Sequence, residues 1–198
     1  RPGIPGLSEN VRVISIVGDV ADKGVSAALY AAYTHSMFQS FSQTSASPAA
    51  IFQNVNDLIS NRMRDGDFIT AVIACFNLDE KSVTIARAGH NWPLYYCAET
   101  RIITELKPKG ISIGMFESVQ FSDRLEEQKI YLKPGDLVLL YSDGVTEATN
   151  PDNLMFDVTG LKKVIAQSAH ETSATLIEHI NSNLQSFVKS DELQDDAT

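Results

Sequence analysis

The sequence predicts an α+β domain in which antiparallel sheet is covered by helices. Three observations carry that expectation. Two stretches of helical periodicity occupy the region before residue 66, strand-like runs broken by turn residues fill the chain from Phe68 to Tyr141, and two helical stretches close it. A chain of 198 residues is long enough for one well-buried domain of this kind, or for one with a small appendage.

Taken in order, Val11 to Val17 is short, β-branched and apolar, the pattern of a buried strand. Gly18-Asp19-Val20-Ala21-Asp22-Lys23-Gly24 then reads as the handover to a helix, with two carboxylates between glycines that let the backbone turn. Val25 to about Phe41 is Ala-rich and apolar around most of its circumference, a helix expected to pack on more than one side. Ser47-Pro48 supplies an N-cap followed by proline at the first helical position. Ile51, Phe52, Val55, Leu58, Ile59 and Met63 form the apolar stripe of that second helix, which ends near Arg64-Asp65-Gly66.

Strands follow. Phe68 to Phe76 and Ser82 to Ala88 are joined at Leu78-Asp79-Glu80-Lys81, a hairpin. Trp92 to Tyr96 and Arg101 to Leu106 form a second pair, and Val119 to Leu132 reads as a further strand run. Lys133-Pro134-Gly135 turns the chain into Asp136 to Tyr141, apolar enough for a buried strand. Val158 to Ser168 and Thr172 to Lys189 are the closing helices, the latter with Leu176, Ile177, Ile180, Leu184, Phe187 and Val188 on one side.

Acidic residues outnumber basic ones, 25 to 16, for a formal net charge of −9. That balance argues against a nucleic-acid surface, which rewards clustered Lys and Arg, and suits a site whose carboxylates are neutralised by cations. The longest apolar stretch, Ala27 to Phe41, carries Tyr33, His35, Ser36 and Gln39, so no membrane contact is expected of this segment. Cys75 and Cys97 lack metal-ligand spacing and read as buried free thiols of a reducing cytoplasm, with a disulfide as the minor alternative.

Three places in the chain concentrate carboxylates. Asp19 closes the first strand and Asp143, in Tyr141-Ser142-Asp143-Gly144, closes another; Asp195-Asp196 lies near the end. Each has an ordinary reading: a capped turn, an Asp-Gly turn and a solvated acidic tail. Together they are the oxygen donors a hard cation such as Mg²⁺ or Mn²⁺ takes, and no His/Cys pattern points to zinc. Ser26 and Ser142 lack a nucleophile-elbow context, and Lys109-Gly110 to Gly114 is not a phosphate-binding loop of the GxxxxGK type. His35, His170 and His179 are scattered, while Ala88-Gly89-His90-Asn91-Trp92-Pro93 reads as a tight turn between strands.

The ordered set of motifs GDVADKGVSAAL from Gly18, DFITAV from Asp67, AGHNWP from Ala88, KGISIG from Lys109, LKPGDLVLLYSDGVTEA from Leu132 and DDAT from Asp195 resembles the SpoIIE/RsbU-type bacterial branch of the metal-dependent type 2C protein phosphatases. The resemblance covers nearly the whole chain. It implies an αββα sandwich, two mainly antiparallel sheets flanked by helical layers. It also implies two Mn²⁺ or Mg²⁺ ions, with Asp19 and Asp143 as the central catalytic carboxylates. By this likeness Asp19 bridges both metals, the Val20 carbonyl binds one, Asp143 and Asp195 bind the other, and Asp196 takes a neighbouring role. His90 and Asn91 match a signature read as structural support, and Asp22 is left as a helix cap.

The implied reaction is hydrolysis of a phosphoserine or phosphothreonine ester on a protein, an anti-sigma-factor antagonist in this branch, by a metal-activated water. A sensory or dimerising region upstream, a cytoplasmic setting (including the cytoplasmic part of a membrane-anchored sensor) and a homodimer are all compatible with it. Residues 1–10 read as a linker or loop remnant and 11–198 as the phosphatase domain, incomplete at both ends. The chain departs from the family pattern in three ways: no Gly-Gly-Asp precedes Asp19, no strand follows the DDAT motif, and Phe156-Asp157 stands where Phe-Gly is usual. Two rival readings stay open. One is a catalytically degenerate module that binds a signalling partner; the other is a two-metal nucleotide cyclase, which leaves GHNWP and DDAT unexplained.

Overall fold

The structure, a computed structural model, describes residues 12–189 and 196–198. The expected linker and Asp195 lie outside the described residues. The fold is α+β, with two antiparallel sheets and their helices. The chain divides into two compact units, Arg1–His90 with Pro108–Leu132, and Asn91–Lys107 with Lys133–Thr198.

In the first unit a four-stranded sheet runs β1 (Arg12–Val20), β2 (Ile69–Asn77), β3 (Ser82–Ala88) and β6 (Glu127–Tyr131), antiparallel throughout. β2 is buried along most of its length, which accounts for its nearly continuous apolar run rather than an alternating one. Against the sheet pack α1 (Val25–Thr44) and α2 (Pro48–Ile59), the latter prolonged by one 3₁₀ turn at Ser60–Arg62. Ile51, Phe52, Val55 and Ile59 of α2 are solvent-free, each such side chain contributing on the order of 1.5–3 kcal/mol. Phe38 meets Phe52 edge to face, with ring centroids 6.0 Å apart. The expected cap is present: Ser47 Oγ accepts from Ala50 N at 3.1 Å, with Pro48 at the first helical position. Glu127 of β6 accepts from both Ser47 Oγ (2.6 Å) and Ala49 N (2.9 Å), placing a negative charge at the helix N-terminus.

Three expectations for this unit are corrected. First, α1 is not packed all round: it buries Thr34, Met37 and Phe38 and leaves Val25 80% and Leu29 66% exposed. Its alanines raise helix propensity without supplying much area to bury. Second, Val119 to Leu132 is not one strand. It begins as the short helix α3 (Ser118–Ser122) and becomes β6 only at Glu127. Ser118 Oγ donates to Asp57 of α2 at 2.6 Å and Phe121 is fully buried, so a long-range anchor prevails over the strand pattern. Third, Asp22 does not cap α1. The N-cap is Gly24, without a side-chain bond; Asp22 sits at φ 76° with its Oδ1 accepting from Lys23 N at 2.8 Å.

In the second unit β5 (Ile102–Glu105), β4 (Leu94–Cys97) and β7 (Leu137–Leu139) form an antiparallel sheet. Its core joins Leu94 and Tyr96 to α4 (Asp143–Thr146), α5 (Asp157–Ser168) and α6 (Ser173–Val188) through Val145, Leu161, Ile165 and Leu184. Asp157 explains its own departure from Phe-Gly: it adopts φ 56°, a conformation glycine favours and Asp tolerates. Its Oδ1 also accepts from Gly160 N at 2.9 Å, satisfying the start of α5. Both cysteines are free. Among the described residues no helix is long and apolar enough to cross a membrane.

The entry to β7 hangs on Asp136. Its carboxylate accepts from Ala98 N (2.9 Å), Lys133 N (2.8 Å) and Tyr95 Oη (2.8 Å), tying the Lys133-Pro134-Gly135 turn to the end of β4. Burial pushes this carboxyl up, but the three donors outweigh it and leave it below the usual aspartate value. A depressed folded-state pKa contributes stability above the unfolded pKa and loses it as pH falls through the folded one. Asp136→Ala is therefore expected to cost about 2–3 kcal/mol in urea unfolding at pH 7, with the gap from wild type shrinking below about pH 4.

Candidate functional site

The first carboxylate lies in the strand, not in a turn. β1 continues through Gly18, Asp19 and Val20, paired with Ala71, Thr70 and Ile69, and Ala21 N still donates to Phe68 O at 2.9 Å. The chain bends only beyond that point, where Asp22 and Gly24 take positive φ. A Cβ on Gly18 would stand 2.9 Å from Thr70 O and 3.1 Å from Ala71 Cβ, so this glycine serves a close approach of β1 to β2. Asp19 is exposed. Residues directly opposite in an antiparallel pair share a face, which sets Thr70 beside it.

Thr70 in turn holds the histidine of the GHNWP motif. Thr70 Oγ1 lies 2.9 Å from His90 Nδ1, and His90 is buried. Arg87 Nη1 donates to His90 O at 2.8 Å, and its guanidinium also reaches Gly110 O (3.3 Å) and Pro108 O (3.4 Å). Burial lowers the Arg87 pKa. Gly110 lies so close to this strand that a Cβ would fall 1.5 Å from Arg87 O, and one on Gly89 would meet Ser112 Oγ at 2.2 Å. Ile113 exchanges backbone hydrogen bonds with Ile69 at 2.9 and 3.0 Å. The DFITAV, AGHNWP and KGISIG motifs, distant in sequence, thus share one hydrogen-bonded network.

In the second unit Asp143 is half-buried and opens α4, where its carbonyl accepts from Glu147 N at 2.7 Å. Beside it the chain returns: Ser142 Oγ donates to Asp196 O (2.9 Å) and accepts from Thr198 N (3.0 Å), while Ser142 N donates to Thr198 O (3.0 Å). A Cβ on Gly144 would meet Asp196 O at 2.4 Å. The backbone of residues 196–198 is thereby laid along the SDG segment. Burial, followed by the nearby Glu105 charge, pushes the Tyr141 hydroxyl up to about 12.

Asp143 and the Asp196 backbone are therefore brought together, Asp19 is placed at the end of β1, and Asp195 is outside the described residues. Among the described residues no three His, Cys, Asp or Glu side chains gather as a metal cluster. The donors at these positions are carboxylates and carbonyls, and the cradle at Gly144 admits a second backbone oxygen beside Asp143. This is the donor type that hard divalent cations take. Ser142 is the residue that sequence reasoning set aside, because its partners stand 54 to 56 residues away.

A profile of the family described as Stage II sporulation protein E (SpoIIE) matches residues 9–198. Phosphoserine phosphatase RsbU of Bacillus subtilis (strain 168) is 28% identical over 171 residues, 85% of this chain and 49% of that relative. The chain thus spans about half the length of this curated relative. Among solved structures, the SiaA-PP2C domain of Pseudomonas aeruginosa superposes with a TM-score of 0.77 at 17% identity, covering 94% of this chain and 76% of that one. RsbX in complex with magnesium superposes with a TM-score of 0.66 at 14% identity, covering 93% and 78%. The fold is that of PP2C phosphatase domains.

Gly18→Ala is expected to part β1 from β2 and to cost about 1–3 kcal/mol. An unfolding midpoint equal to wild type would show that the close approach at Thr70 O is not under steric constraint.

Proposed function

The chain belongs to the SpoIIE family, and from that premise we propose that it hydrolyses phosphoserine or phosphothreonine esters on a protein with the aid of two Mn²⁺ or Mg²⁺ ions. The observation that carries the reading is the half-buried Asp143 with the backbone of Asp196 laid beside it, an arrangement of oxygen donors. A relative named phosphoserine phosphatase and a fold neighbour solved with magnesium support it.

In this reading Asp19, the Val20 carbonyl, Asp143, Asp195 and Asp196 hold the cations. When bound, such ions lower the pKa of a water and offset the charge of the phosphoryl group. The chain's own residues supply the rest. Asp19 is carried by a paired strand and Asp143 by a helix start, which gives each carboxylate a defined backbone. Ser142 is not a nucleophile: its hydroxyl is buried and engaged with Asp196 O and Thr198 N. Cys75 is buried, and that burial raises its thiol pKa despite the opposing charge of Arg12, so the thiolate is disfavoured. Neither of these two side chains is poised to form a covalent phosphoenzyme, which is consistent with direct attack by water. The substrate is a small phosphorylated anti-sigma-factor antagonist, and a sensory or dimerising region of the polypeptide governs access to it.

Manganese-dependent hydrolysis of p-nitrophenyl phosphate is expected for the wild-type protein, falling at least about a hundredfold in Asp143→Ala. Wild-type turnover no higher than that of Asp143→Ala would contradict the enzyme reading and leave a partner-binding module on the same fold.

A further inference from the structure

Ser142 is buried, and its hydroxyl and amide are both spent on one stretch of chain. Its hydroxyl and its amide make three bonds, each to the segment 196–198. Two residues on, Gly144 gives way to Asp196 O at a position a Cβ would crowd, 2.4 Å away. Two independent devices, one of hydrogen bonding and one of shape, therefore act on the same short backbone. Between them stands Asp143.

We propose that Ser142 is a positioning residue, a clamp that docks the backbone of residues 196–198 against Asp143 and so sets the spacing of oxygen donors that take a divalent cation. The inference rests on the metal-dependent reading above. Hydroxyl, amide and glycine each fix a different coordinate. Ser142 Oγ holds the Asp196 carbonyl, Ser142 N holds the Thr198 carbonyl, and Gly144 sets the depth at which Asp196 lies. Cation binding and docking of residues 196–198 are then linked. Whatever loosens the segment weakens the cation, and a bound cation tightens the segment by the same factor. Residues that orient metal ligands without touching the metal are worth about 10- to 100-fold in affinity, and Ser142 falls in that class.

The test titrates Mn²⁺ by calorimetry into the protein carrying this chain, as wild type, Ser142→Ala, Ser142→Thr and Gly144→Ala. Amide hydrogen exchange across 196–198 is followed in the metal-free proteins. Ser142→Ala and Gly144→Ala are expected to bind Mn²⁺ at least about tenfold more weakly, while Ser142→Thr, which keeps the hydroxyl, stays near wild type. Exchange across 196–198 should rise in Ser142→Ala without metal, with the amides of β4 unchanged. Wild type that binds Mn²⁺ alongside a Ser142→Ala of equal affinity overturns the clamp and leaves the metal reading intact. Wild type that binds no Mn²⁺ overturns the metal reading and the clamp with it. Should Ser142→Ala fail to fold, Gly144→Ala decides the question alone, since wild-type affinity there also refutes the clamp.

Discussion

Backbone lying against backbone where no Cβ stands is the constraint on which the candidate site depends. Gly18 lets Thr70 O approach β1, Gly110 lets the KGISIG segment lie on Arg87 O, and Gly144 lets Asp196 O settle beside Asp143. At each point a methyl group would fall within 3 Å of a carbonyl oxygen. These contacts bind motifs that are far apart in sequence, and they do so next to the residues proposed to carry the chemistry. Treating glycine only as a turn residue misses this. At Gly18 the strand is fully paired, and the glycine is there for its neighbour's sake.

The same constraint separates what was legible in the sequence from what was not. Periodicity located both pairs of helices and the hairpin between β2 and β3, and Ser47-Pro48 announced the start of α2, because each of these is decided within a few residues. α1 misled, since alanine signals helix more strongly than burial. The strand reading of Val119 to Leu132 failed because a bond to Asp57 and the burial of Phe121 depend on α2, which no local pattern encodes. For the site, Asp19 and Asp143 stood out as strand-end carboxylates, yet nothing local marked Ser142. Its role is defined by residues 196–198, and a long-range backbone contact leaves no periodic trace.

Chemically, Ser142 and Cys75 are both poor candidates for a nucleophile. A serine already occupied on both sides of its hydroxyl cannot attack phosphorus, and a cysteine buried in apolar sheet resists ionisation. Both observations are consistent with the proposed hard-cation site acting on water. The chain belongs to the SpoIIE family and has the fold of PP2C phosphatase domains. The network of Arg87, His90 and Thr70 extends the same logic to Asp19. There a half-buried guanidinium fixes three carbonyls and a buried imidazole fixes the hydroxyl beside the carboxylate.

The central claim is that Asp19 and Asp143 are cation ligands. Anomalous diffraction at the manganese edge, on crystals grown with Mn²⁺, tests it most directly. Manganese peaks are predicted within coordination distance of both carboxylates, with the 196–198 backbone ordered against Ser142. Peaks seated elsewhere on the chain, or none on either carboxylate at saturating metal, would contradict it.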